Sequence, residues 1–155
     1  VTGVQTCALP ISVVADETDW VANLANTAAV LKEAFGWFWV GFYLVDTCTD
    51  ELVLAPFQGP LACTRIPFGR GVCGQAWAKG ETMVVEDVNA HPDHIACSSL
   101  SRSEIVVPLF SDDLCIGVLD VDSEHLAQFD ETDALYLGEL AKILAKRFKA
   151  SRQAA

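Results

Sequence analysis

The chain has 155 residues, enough for one domain with a real core and too few for two comfortable ones. Hydrophobic residues make up 52% and charged residues 20%, and no apolar run approaches the roughly 18 residues of a membrane helix, so a soluble globular protein is expected and a membrane partner is not. Ten Lys and Arg against 21 Asp and Glu leave a formal charge of −11, which repels phosphate backbones and argues against nucleic acid as a partner.

The first twelve residues, VTGVQTCALPIS, carry no charge. As a secretory signal they fit poorly: the first basic residue is Lys32, and Gly3, Gln5, Thr6 and Pro10 interrupt the apolar positions. Val1 to Ile11 match the in-frame translation of a common short-read sequencing adapter, with Ser12 at the join. The expectation is a non-native tail over 1–12 without stable packing, a single domain over 13–150 and a C-terminal tail over 151–155. Cys7 is then an artefactual thiol.

From Thr18, TDWVANLANTAAVLKEAF puts Val21, Leu24, Ala28, Leu31 and Phe35 on one helical stripe, with Thr18 or Asp19 as cap. WFWVGFYLV and ELVLAPF, separated by the turn residues Asp46 to Asp50, predict two antiparallel strands. CTRIPFG reads as a strand ending at a Pro and Gly signal, GRGVCGQAWAKG as a glycine-rich turn entering a short helix, and ETMVVEDV as a further strand. Asn89 to Arg102, rich in His, Pro, Asp and Ser, has the composition of a long functional loop. EIVVPLF and LCIGVLDVDS form a hairpin around Ser111, Asp112 and Asp113, and Asp130 caps a last helix with Leu140, Ile143, Leu144 and Phe148 on one face. Basic residues gathered at that helix's C-terminal end suit its dipole. The order describes an α+β domain with helices on an antiparallel sheet.

Six cysteines less Cys7 leave five, an odd number in a chain that needs no staple, so a reducing cytoplasm is expected rather than a disulfide framework. Cys115 in an apolar strand reads as a small hydrophobe and Cys48 as a turn residue. Cys63, Cys73 and Cys97 sit in or beside loops. Gly71 and Gly74 around Cys73 allow close backbone approach, and the helix that follows would aim amides at a thiolate, although a structural glycine turn explains the same residues. Cys97 lies among His91, His94, Ser98 and Ser99, where burial does not account for a cysteine. HPDHIAC also admits a zinc reading, with His91, His94 and Cys97 joined by Cys63 or Cys73, but Pro92 divides the histidines and the paired spacing of structural zinc sites is missing. The histidines are equally ordinary loop residues.

Asp120 and Asp122 in GVLDVDS are two apart on a strand, so both point to one face and Val121 to the other. Such a pair needs water, a cation or shared protons, and a ligand ammonium would serve. Glu104, heading the preceding strand, can join them across the hairpin. A solvated acidic face is the plain alternative, weakened by the apolar Ile116, Val118 and Leu119. Trp39, Gly41 and Tyr43 share one strand face, either as core or as the wall of a small pocket.

Taken together, ANLANTAAVL, WVGFYLV, LVLAPFQGPLAC, RIPFGRGVCG, DVNAHPDHIAC, SEIVVPL and IGVLDVDS resemble the free methionine-R-sulfoxide reductases, small GAF-domain proteins, from about Val13 to Phe148. The resemblance implies a GAF domain, with a six-stranded antiparallel sheet flanked by helices and a ligand cavity turned into an active site. It implies catalytic cysteines at Cys63, Cys73 and Cys97, substrate-binding acids at Glu104, Asp120 and Asp122, and pocket aromatics at Trp39 and Tyr43. The implied activity is reduction of free L-methionine-(R)-S-oxide through a cysteine sulfenic acid and an intramolecular disulfide, recycled by thioredoxin. No cofactor or metal is called for, and a homodimer is among the assemblies the family suggests.

In that scheme Cys97 attacks sulfur and Cys63 resolves, with Cys73 as alternative resolver or relay. At least one acid holds the substrate ammonium, another is kept protonated as general acid, and loop amides take the carboxylate. The family carries further residues before the first helix, where this chain has 1–12. The competing class is a GAF module that senses a small ligand, or a redox switch, without turnover. A sensor has no evident use for three loop thiols beside an acid trio.

Overall fold

The computed structural model describes residues 16–93, 95 and 98–153. The tail expected over 1–12, and the candidate residues His94 and Cys97, lie outside them. Helix α1 (Trp20–Phe35) begins at Asp19, whose carboxylate accepts the Ala22 N–H at 2.8 Å, and ends at Gly36, where φ is 66° and the N–H returns to the Lys32 carbonyl. Lys32 Nζ donates to the carbonyls of Trp37 and Phe38 at 2.7 and 3.0 Å, tying the helix end to the strand that follows. The buried face of α1 is Trp20, Asn23, Leu24, Thr27, Ala28 and Leu31. Val21, expected in the stripe, is 58% exposed. The indole of Trp20 takes the inward position instead, edge-on to Phe148 with ring centres 5.1 Å apart, which turns the buried face by one residue.

Strands β1 (Trp39–Asp46), β2 (Glu51–Gln58), β3 (Arg65–Pro67), β4 (Met83–Val85), β5 (Ser103–Ser111) and β6 (Leu114–Ser123) form one sheet in the order β3-β2-β1-β6-β5-β4. Each neighbouring pair is antiparallel, as expected. Helix α2 (Gly71–Lys79) lies between β3 and β4, and a short 3-10 turn (Val88–Ala90) opens the long loop. The strand expected in CTRIPFG spans only Arg65–Pro67, which leaves Cys63 in the loop before it. Helix α3 (Glu131–Gln153) starts at Asp130, whose carboxylate accepts the N–H groups of Thr132 and Asp133 at 2.7 and 3.2 Å, and continues three residues past Ala150.

The sheet has two differently furnished faces. One packs under α1 and α3 through residues such as Leu24, Leu31, Val40, Phe42, Ile105, Leu119, Val121, Leu140 and Leu144. The other gathers Trp39, Tyr43, Val106 and Val118 with Ile66, Val72, Cys73 and Ala76, forming a smaller cluster beneath α2. Strand alternation assigns Val121 to the helix side and its neighbours Asp120 and Asp122 to the opposite side. Gly41 is required there: an added Cβ would overlap the indole of Trp39 and the Cβ of Phe57. Its bare backbone lets Trp39 lie across the strand, stacked on Phe57 at 5.3 Å and 16°.

Candidate active site

Sheet register assembles the acids. Asp122 pairs with Trp39 on β1 and with Glu104 on β5, while Asp120 pairs with Gly41 and Val106. The three carboxyls therefore share one face across two adjacent strands, beside the aromatic wall of β1. Glu104 and Asp120 are only 6% and 7% exposed, so a solvated acidic face is ruled out. From α2, the Cys73 thiol approaches to 3.8 Å from Glu104 Oε1. Among the described residues, one oxygen of Asp120, Oδ1, is buried without a hydrogen-bond partner.

Burial first, and then the neighbouring carboxylates, push Glu104 well above the usual carboxylate range. Asp120 is raised by burial and then by the charge of Asp122. Asp122 is pushed up to about 6 by burial, partly offset by a hydrogen bond from Ser101. Burial and the charges of Asp120 and Glu104 also raise the Cys73 thiol. Its place in the first turn of α2 does not overcome them, and Cys73 is a neutral thiol at neutral pH. Tyr43 is raised in the same way, chiefly by burial.

These shifts fix a sign for pH dependence. A carboxyl whose folded pKa is raised adds stability in its protonated form and loses it as pH climbs through the folded value. For Asp122 the window runs from about 6 down to the ordinary 3.8. Asp122→Asn is therefore expected to be more thermostable than the parent chain at pH 7.5, with the gap in Tm narrowing to about a third at pH 4.5 and closing below the ordinary 3.8. A gap that widens toward acid would contradict this account of the site.

The pocket in front of the acids encloses about 520 Å³, counting its open mouth. Trp39, Tyr43, Cys73, Glu104, Asp120 and Asp122 all line it, together with Phe38, Leu61, Ile95, Ser98 and Ser101, which sequence patterning does not single out as pocket residues. The aromatic wall also holds a loop. Trp39 Nε1 donates to the Pro60 carbonyl and the Tyr43 hydroxyl to the Cys63 carbonyl, both at 3.1 Å. Cys63 is disulfide-bonded, while Cys48, Cys73 and Cys115 carry free thiols. Cys48 is exposed and Cys115 buried, away from the pocket lining.

Among the described residues, the donor set compact enough to hold a metal ion is Cys73, Glu104 and Asp120, whose ligand atoms lie within 4.8 Å of one another. This is not the set that HPDHIAC suggests. Of that motif's candidate ligands, His91 is described, and its buried Nδ1 has no partner among the described residues.

A six-stranded antiparallel sheet with a pocket on one face and helices on the other is GAF-domain architecture, and the GAF domain family model matches residues 19–148. The free methionine-R-sulfoxide reductase of Escherichia coli (strain K12) is 47% identical over 136 residues, covering 87% of this chain and 81% of that protein. Its counterpart of the same name in Saccharomyces cerevisiae is 42% identical over 137 residues, covering 84% and 76%. Among solved structures, free methionine-R-sulfoxide reductase from Neisseria meningitidis, in complex with its substrate, is 90% identical with a TM-score of 0.93, covering 94% of this chain and 87% of that one. The chain belongs to the free methionine-R-sulfoxide reductase family of GAF-domain proteins.

Proposed function

We propose that this chain reduces free L-methionine-(R)-S-oxide to L-methionine with two of its own thiols. The observation that carries the reading is the buried acid trio: Glu104, Asp120 and Asp122 crowd one face of an aromatic-walled pocket, and among the described residues Asp120 Oδ1 has no hydrogen-bond partner. Three closely placed carboxyls, each raised by burial, can meet two needs at once. One ionised carboxylate pairs with the substrate ammonium, and a neighbour that keeps its proton delivers it to the departing sulfoxide oxygen. A methionine sulfoxide within a polypeptide has a neutral peptide nitrogen and would leave the buried charge unmatched. Trp39 and Tyr43 then seat the S-methyl group, and loop amides take the carboxylate.

The electron balance requires two thiols. The Cys97 thiolate attacks the sulfoxide sulfur, the protonated oxygen passes from that sulfur to the Cys97 sulfur as the transient sulfur–sulfur bond breaks, and methionine departs, leaving Cys97 as a sulfenic acid. The Cys63 thiol displaces that oxygen as water and closes a disulfide, which thioredoxin reduces. Three observations support this order. Ile95 and Ser98, either side of Cys97 in sequence, line the pocket. Cys63 is disulfide-bonded. Cys73, buried and raised by the acids, is the poorer thiolate and is assigned as relay or reserve resolver. A cytoplasmic setting is proposed because the cycle needs a dithiol reductant.

The test is a thioredoxin-coupled assay with separate R and S epimers of free methionine sulfoxide and with the N-acetylated R compound. The R epimer should turn over, and the S epimer and N-acetyl compound should run at least about tenfold slower. Saturable binding of the R epimer without reduction would replace the enzyme with the sensor reading.

A further inference from the structure

Two residues of the sequence motifs, Arg70 in GRGVCG and Asp93 in HPDHIAC, take no part in the proposed chemistry, yet they are joined by a two-pronged contact across 23 positions. Arg70 Nε donates to Asp93 Oδ2 at 3.0 Å and Nη2 to Oδ1 at 3.1 Å. The same Asp93 Oδ2 accepts the Gly71 N–H at 3.2 Å, so a carboxylate from a distant loop caps the start of α2. Arg70, at the cap position, provides no side-chain cap of its own. Two residues further on, Ile95 packs over Gly71: an added Cβ would stand 3.1 Å from Ile95 Cδ1, and φ at Gly71 is +60°. The hydrogen bond from Arg70, and then that from Gly71, hold Asp93 below the usual carboxylate range, so the contact persists at neutral pH.

We propose that Arg70 and Asp93 form a latch that seats Asp93 and Ile95 on the first turn of α2 and thereby sets the reactivity of Cys97, two residues beyond Ile95 in sequence, without touching the substrate. The planar guanidinium fork fixes both distance and angle, which a single point charge does not. Gly71 is bare because Ile95 occupies the space that a side chain would need. The latch deepens the proposed reaction and rests on it only for its effect on rate, since its effect on the loop is measurable without turnover.

The experiment uses the full reduced chain and the variants Arg70→Ala, Arg70→Lys and Asp93→Asn. Iodoacetamide alkylation of the Cys97 peptide, followed by mass spectrometry, should run about fivefold faster in Arg70→Ala, with Tm within about 3 °C of the parent. Arg70→Lys should lie between the two, because it keeps the charge and loses the fork. For the R epimer, kcat should fall about five- to tenfold in Arg70→Ala while KM stays within about twofold, as misplacing a reacting group penalises the chemical step. In 1 M NaCl the parent should approach Arg70→Ala in kcat, because salt screens an exposed pair. Faster alkylation with unchanged kcat would keep the latch and remove Cys97 from the reaction. Alkylation at the parental rate in either Arg70→Lys or Asp93→Asn, whichever folds, would overturn the latch.

Discussion

Cys97→Ser is expected to reduce turnover of the R epimer to background, with binding retained. Serine preserves the size of the side chain but not the nucleophile, because a hydroxyl at neutral pH offers neither the thiolate nor a stable sulfur–oxygen product. The acids and aromatics proposed to hold the substrate lie on β1, β5 and β6 and remain intact, so substrate should still raise Tm. Cys63→Ser makes the complementary test. It should release about one methionine per chain and stop, leaving a sulfenic acid at Cys97 that dimedone traps. Continued turnover in Cys63→Ser with a Cys73–Cys97 disulfide would exchange the roles of Cys63 and Cys73. Turnover surviving Cys97→Ser would move the attack to another thiol.

Asp120→Asn should separate activity from stability in opposite directions. The asparagine fits the same space, but its neutral amide does not match an ammonium, and removing one partner of a buried charge pair costs about 2–5 kcal/mol. That corresponds to a loss in kcat/KM of about 30-fold to about 5,000-fold. The unliganded protein should gain stability, since burial and the charge of Asp122 both oppose ionisation of Asp120 and the substitution removes that penalty. A rise of a few degrees in Tm alongside the collapse in activity is the expected signature. For N-acetyl methionine sulfoxide, which carries no ammonium, parent and Asp120→Asn should differ little. Equal losses on both substrates would place Asp120 in proton transfer instead of ammonium recognition.

Much of this arrangement is legible in sequence because strand periodicity is rigid. Two acids at positions 120 and 122 must share a face, and the turn residues between the last two strands bring Glu104 opposite Asp122. The buried trio follows from that short-range geometry, as do the caps at Asp19 and Asp130. Helix rotation is less constrained: Val21 and Trp20 are adjacent, and the packing of the indole on Phe148, 128 positions away, decides which faces inward. The loops are less legible still. That Tyr43 holds the Cys63 carbonyl, and Arg70 the Asp93 carboxylate, depends on backbone paths across 20 and 23 positions with no periodic signal. Residue type suggested a reactive thiol at Cys73, whereas its surroundings, invisible to local spacing, raise it.

The outermost strands β3 and β4 are three residues each, beside neighbours of eight and nine. Most of β2 and β5 would thus present unpaired amides and carbonyls to any second sheet, a template for intermolecular strand addition. Connecting loops cover part of this margin: Leu54 N–H donates to the Thr64 carbonyl at 3.0 Å beside Cys63, and at the other border Val88 N–H donates to the Arg102 carbonyl at 2.9 Å. The loop beside Cys63 and the residues leading into β5 would thereby also limit self-association. Substitutions that loosen them would be expected to appear as aggregation under oxidative load, in addition to slower repair of methionine.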